Sequence, residues 1–153
     1  MDWANVIWAG ITGGIAMELS AILLHLFRFK RASMVSYEGC MITGRTSGVG
    51  SYLAGLAMHL ILSLLIAFAY AWGFQVIGTK ASWFYGLILA IPHWAIGGLV
   101  VPLVDKVSGC VKSGTVEPLT IFASGNLTFF ITFLIGHLVY GVTFGWMLSR
   151  VSQ

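Results

Sequence analysis

The sequence predicts an all-α integral membrane protein, a four-helix bundle forming one domain over residues 1–153. Three observations lead there. Hydrophobic residues make up 58% of the chain and charged residues only 8%, with a mean hydropathy of +0.92. A water-soluble domain is about 25% charged, so most of this surface is not meant for water. Four apolar windows are each long enough to cross a hydrocarbon core roughly 30 Å thick, which takes about 20 residues. Each window also carries one ionisable side chain well inside it: Glu18, His59, His93 and His137.

The first window runs from Val6 to Phe29 and is interrupted by Glu18 and His25. No basic stretch precedes it and no small-residue cleavage pattern ends it, which predicts a retained helix rather than a secretory signal. The second runs from Ser51 to Val76, the third from Trp83 to Val104 and the fourth from Leu127 to Leu148. Connection one, Lys30 to Gly50, is the longest; a surface-lying segment there has no clean amphipathic pattern to support it. Connection two, Ile77 to Ser82, is short and forces antiparallel neighbours. In connection three, Asp105 to Gly125, Glu117-Pro118 reads as a helix start and Gly125-Asn126 as the break before the last span. Pro92 predicts a kink in the third span, and Pro102 the approach of its end.

The formal charge of +3 and pI near 9.1 come from scattered residues that form no basic patch, so no nucleic-acid partner is expected. Lysine and arginine instead mark orientation. Arg28, Lys30, Arg31, Arg45, Lys106 and Lys112 fall in or beside connections one and three, against Lys80 and Arg150 on the other side. The bias puts connections one and three in the cytoplasm and both termini outside. Trp3, Trp8, Trp83 and Trp146 then share the outer interface as an aromatic belt. Cys40 and Cys110 lie in the two cytoplasmic connections, where thiols usually stay reduced, and are expected to be free.

The polar residues form the candidate site. At 1.5 Å per residue from the cytoplasmic ends, Glu18, His93 and His137 lie roughly 15 Å deep and His59 about 12 Å, near mid-bilayer. Each shares a helix face with small residues: Gly10 and Gly14 with Glu18, Gly55 with His59, Gly86 and Gly97 with His93, Gly141 with His137. Small residues mark faces that meet other helices, so the four groups are expected to converge on the bundle axis. With the first and third spans diagonal, and the second and fourth diagonal, all four can reach it. A weak repeat is also present: His59-Leu60-Ile61 resembles His137-Leu138-Val139 at an offset of 78 residues, and Glu18 and His93 are 75 apart. The near-equal spacing suggests two duplicated helix pairs.

A charge at mid-bilayer is expensive, by about 2.5 kcal/mol or far more. One carboxylate and three imidazoles are normal ligands for a transition-metal ion such as zinc, iron or copper, and they fill a tetrahedral set. The first expectation is therefore a metal site of Glu18, His59, His93 and His137, with His25 as an entry or supporting group nearer the cytoplasmic end. Haem b, axially ligated by His59 and His137, ranks below a simple ion, because no arginine pair for the propionates is evident. The second expectation is proton or small-cation transfer through the same residues, against which the outer helix halves offer few polar steps. The third is a non-catalytic accessory subunit of a larger membrane complex, or a homo-oligomer, its apolar surface covered by lipid and partner. The bland alternative is polar glue between helices, worth about 0.6 kcal/mol per hydrogen bond. No catalytic motif is present: there is no serine–histidine–acid arrangement, P-loop or dinucleotide fingerprint.

From the second window onward, His59-Leu60-Ile61 with Ser63 and Tyr70, then Trp83, Gly86-Leu87, His93, Pro102-Leu103 and Gly136-His137-Leu138-Val139 occur in an order that resembles the YagU-like group of small bacterial inner-membrane proteins. The Glu18 helix is similar over a shorter stretch, and connection one departs from the group in length and content. The resemblance implies a bundle and a loose association with survival in acid; it implies no reaction.

Overall fold

A computed structural model describes residues 2–27, 34–120, 122 and 127–151. Six helices follow in order: α1 (Trp3–Leu26), α2 (Met34–Thr43), α3 (Val49–Ile77), α4 (Trp83–Val107), α5 (Gly109–Lys112) and α6 (Leu127–Val151). Four of them, α1, α3, α4 and α6, are long and apolar enough to cross a membrane. Among the described residues there is no strand, and the all-α bundle is as expected.

Local chemistry sets the helix ends. Asp2 caps α1 by accepting a hydrogen bond from the Ala4 amide at 2.9 Å, and Ser82 caps α4 by accepting from Tyr85 at 3.3 Å. Gly78 ends α3 in the left-handed conformation at φ 70°, which a residue without Cβ adopts freely. α4 runs through both prolines to Val107, beyond the end expected near Pro102. A proline inside a helix leaves one carbonyl without its usual donor, and neighbouring helices can absorb that in a membrane segment.

The spans form a ring in which α3 packs on α1, α1 on α6 and α6 on α4, while α3 and α4 barely touch. Thus α1 and α4 are diagonal, as are α3 and α6. Small residues fix the register. Gly10 abuts Ala67 and Gly14 abuts Ser63 between α1 and α3; Gly13 meets Tyr140 and Gly136 meets Met17 between α1 and α6. Between α4 and α6 the backbones themselves touch: a Cβ on Gly86 would run into the Gly141 carbonyl, and one on Gly141 into the Gly86 carbonyl. Without a hydrophobic drive between helices in lipid, such close approach is what holds spans together.

Val6, Ala67, Tyr70, Phe74, Tyr140, Phe144 and Leu148 fill the half of the bundle nearer the termini. The tryptophans Trp3, Trp8, Trp83 and Trp146 are exposed at that same end.

Connections one and three differ from expectation. Connection one carries α2, which is buried along Val35, Tyr37, Glu38, Gly39 and Cys40 rather than lying on the surface. It runs antiparallel to the first half of α3, with Gly39 against Ser51 and Gly55 against the Val35 carbonyl. No amphipathic stripe is needed, because a ten-residue helix enclosed by other helices buries most of its circumference. Cys40 and Cys110 are not free thiols: they form a disulfide that ties α2 to α5. The loop positions did not reveal the pairing because α2 folds inward and carries Cys40 onto α5. No helix starts at Glu117-Pro118; residues 113–116 are turns and bends, with Gly114 at φ 71°, and 117–120 have no regular structure. The break expected at Gly125-Asn126 lies outside the described residues.

Candidate functional site

The seams place the polar groups at one height. Gly14 faces Ser63, so one turn further along each helix Glu18 stands level with His59. Met17 faces Gly136, which puts the neighbouring His137 at the same level. On α4, His93 meets His137 with ring centroids 4.5 Å apart, edge to face. Four spans thus bring one carboxylate and three imidazoles to one layer of the bundle, each on a face predicted from its small residues.

They do not gather around a point. His59 Nδ1 lies 3.5 Å from Glu38 Oε2 of α2, a close ion-pair distance. Its other nitrogen, Nε2, is buried and makes no well-formed hydrogen bond among the described residues, although the ring lies within reach of the Gly14 carbonyl of α1. His137 Nδ1 donates to the Phe133 carbonyl at 2.7 Å, which leaves Nε2 as an acceptor when the ring is neutral. That Nε2 faces α4, 3.2 Å from where a Cβ on Gly97 would stand. His93 Nδ1 pairs with the Tyr70 hydroxyl at 3.2 Å. Glu18 is buried beside His59 on a void of about 30 Å³ that Met17 and Thr132 also line. His25 is exposed in the last turn of α1, away from the layer.

The metal expectation meets this geometry directly. Among the described residues, no three His, Cys, Asp or Glu side chains are placed to hold one metal ion. His59 is engaged by Glu38, and His93 and His137 meet as ring edges rather than as converging nitrogens. The haem pair is turned apart likewise: His59 faces α2 and His137 faces α4.

What the sequence missed is Glu38. It is buried, and burial pushes its carboxyl above the ordinary carboxylate range, while the His59 imidazole pulls the other way. Its signal was present but weak: it is the only acid in connection one, beside Gly39, within a short apolar stretch. Tyr70 and Tyr140 were also missed as polar members. Tyr140 donates to the Ser63 carbonyl at 2.6 Å, and Ser63 donates to the His59 carbonyl at 2.8 Å, which locks α3 against α6 beside the histidines.

The layer opens onto a cavity of about 320 Å³ between α3 and α4, where the ring of spans is incomplete. Glu38, His59, His93, His137 and Tyr140 line its inner wall. Toward the termini Tyr140 lines it and packs against Tyr70, which in turn packs against Phe144, with ring centroids 5.4 Å apart in each pair.

No protein-family model, curated protein or solved structure matches this chain.

Proposed function

We propose that this multi-pass membrane protein binds a ligand in the histidine-lined cavity and exchanges a proton with it through Glu38 and His59. The observation that carries the reading is the buried carboxylate–imidazole pair at the cavity wall. A carboxylate beside an imidazole orients the ring, and its charge stabilises the protonated form, so a proton can reside on either group with little rearrangement. His93, His137, Tyr70 and Tyr140 extend the hydrogen-bonding surface, and Glu18 supplies a second carboxylate on the far side of His59. The aromatic layer toward the termini favours exchange from one side over flux across the whole bilayer. Metal chemistry is not part of the proposal, because the donor set does not converge.

The orientation proposed is the one set by lysine and arginine, with connections one and three cytoplasmic in the inner membrane. The disulfide between them is compatible with a reducing compartment because both sulfurs lie in buried residues, out of reach of soluble reductant.

Infrared difference spectroscopy of the protein in lipid tests the pair. A protonated-carboxyl band assigned by its loss in Glu38→Gln is expected to persist above the pH range of ordinary glutamate. In His59→Phe the imidazole that favours the carboxylate is gone, so the band should persist to still higher pH. A Glu38 band that is indifferent to His59→Phe would overturn the coupling.

A further inference from the structure

The cavity has two unlike walls, and together they specify a ligand class. Its inner wall carries the imidazoles. Its outer wall is apolar: Leu62, Leu65 and Ile66 from α3, Ile96, Val100 and Val101 from α4. Leu62, Leu65, Ile96 and Val100 are each between 43% and 60% exposed, so the mouth lies on the membrane-facing side rather than in a water-facing loop. A volume of about 320 Å³ is at the lower end of small-molecule sites, which run from roughly 300 to 1,000 Å³.

We propose that the gap between α3 and α4 admits an uncharged amphiphile from the bilayer, seating a carbonyl- or hydroxyl-bearing head against His59, His93 and His137 while its hydrocarbon tail leaves between the two helices. This inference rests on the proton-exchange reading of the same site.

The charge of the head follows from the lining. Among the described residues no lysine or arginine lines the cavity, whereas Glu38 does and Glu18 stands behind His59. A phosphate or carboxylate head would meet these carboxyls with no fixed cation to hold it. A cationic head would compete with His59, which already stands 3.5 Å from Glu38. A hydroxyl or carbonyl head suits what remains. His137 Nε2 accepts from a hydroxyl, and His93 Nε2 donates when its Nδ1 accepts from the Tyr70 hydroxyl. The site can therefore hold the head in either hydrogen-bonding sense. Gly97 keeps the α4 wall low in front of His137, where any side chain would crowd Nε2 and Phe133.

The test uses the full chain in lipid nanodiscs with a benzoquinone carrying a long alkyl tail and a photoreactive diazirine on that tail. Crosslinked peptides are read by mass spectrometry. Labelling is expected to saturate and to fall on 62–66 of α3 and 96–101 of α4. Unlabelled long-chain quinone, quinol or alcohol should compete. Competition by all three assigns the site to the shared hydroxyl/carbonyl head, and competition by quinone and quinol alone assigns it to the ring. Val100→Trp, which fills the mouth from a lipid-exposed position, should lower labelling roughly tenfold or more. Leu19→Trp, on an exposed face of α1, should leave it unchanged. Labelling spread evenly over lipid-facing residues, or competed equally well by a fatty acid or an alkylamine of the same chain length, would overturn the inference. Scattered labelling with the Glu38–His59 coupling intact removes the ligand class alone; focused labelling without that coupling removes the proton reading alone.

Discussion

The seam between α4 and α6 gives a sharp test of how the bundle is held. Replace Gly86 by Ala. The new Cβ would overlap the Gly141 carbonyl and lie 3.3 Å from the Gly145 Cα. Both obstacles are backbone, so no rotamer change relieves them and the two helices must separate. Forcing extra carbon into a packed interface costs about 1–3 kcal/mol, and this contact belongs at the upper end because the whole seam has to yield. Gly141→Ala meets the Gly86 carbonyl and the Ala90 Cβ at 2.8 Å, so it should cost a similar amount. Once one substitution has parted the helices the second finds space, and the double variant should fall short of the sum by roughly 0.5 kcal/mol or more. Gly50→Ala is the control: it lies in the first turn of α3 with nothing within 4 Å, so it should not destabilise the fold. The assay is denaturant unfolding in mixed micelles, followed by tryptophan fluorescence. Gly86→Ala as stable as wild type would refute close backbone contact, and strict additivity would refute a shared seam.

Other consequences can be checked on the same preparation. The disulfide joins residues 70 apart in sequence, and its removal by Cys40→Ser or Cys110→Ser should cost about 2–4 kcal/mol of unfolding free energy; two free thiols titrated in the wild type unfolded without reductant would contradict a closed link. Tyr37 donates to Asp105 at 2.8 Å, and Tyr37→Phe leaves that buried carboxylate without its phenol, at a cost of about 1–3 kcal/mol. Burial first, then the hydrogen bond and charge of Asp105, push the Tyr37 phenol up to about 12. A raised value means the fold favours the neutral phenol, so this contribution is complete below the ordinary tyrosine range and is lost as pH rises through about 12. The wild-type minus Tyr37→Phe ultraviolet titration should have its midpoint there, and an ordinary midpoint would contradict the contact. A cysteine at exposed Ser47, in a chain without the disulfide, should resist an impermeant maleimide in intact cells and react after permeabilisation; labelling of intact cells would reverse the proposed orientation.

The spans were legible because membrane length and apolar composition are properties of single segments. The common level of Glu18, His59, His93 and His137 was legible too, since depth is counted along each helix and small residues mark the packed face. The pairing among those groups was not. Whether His59 meets an ion or a carboxylate depends on what else enters the layer, and the entering element was α2. Its ten residues are too few to span and carry no amphipathic stripe, so nothing local announces that it folds inward. Glu38 and the Cys40–Cys110 link follow from that one fold-back and were lost together. The weak contact between α3 and α4 was equally invisible, because a gap between spans leaves no periodicity in either.

Solid-state NMR dipolar contacts between ¹⁵N-labelled histidine and ¹³C-labelled glutamate, recorded in lipid, test the buried carboxylate–imidazole pair most directly. The expected spectrum contains a histidine ring–glutamate carboxyl contact that persists in Glu18→Gln and vanishes in Glu38→Gln. A spectrum unchanged by Glu38→Gln, or one with no such contact in the wild type, would contradict the pair on which the proposed proton exchange stands.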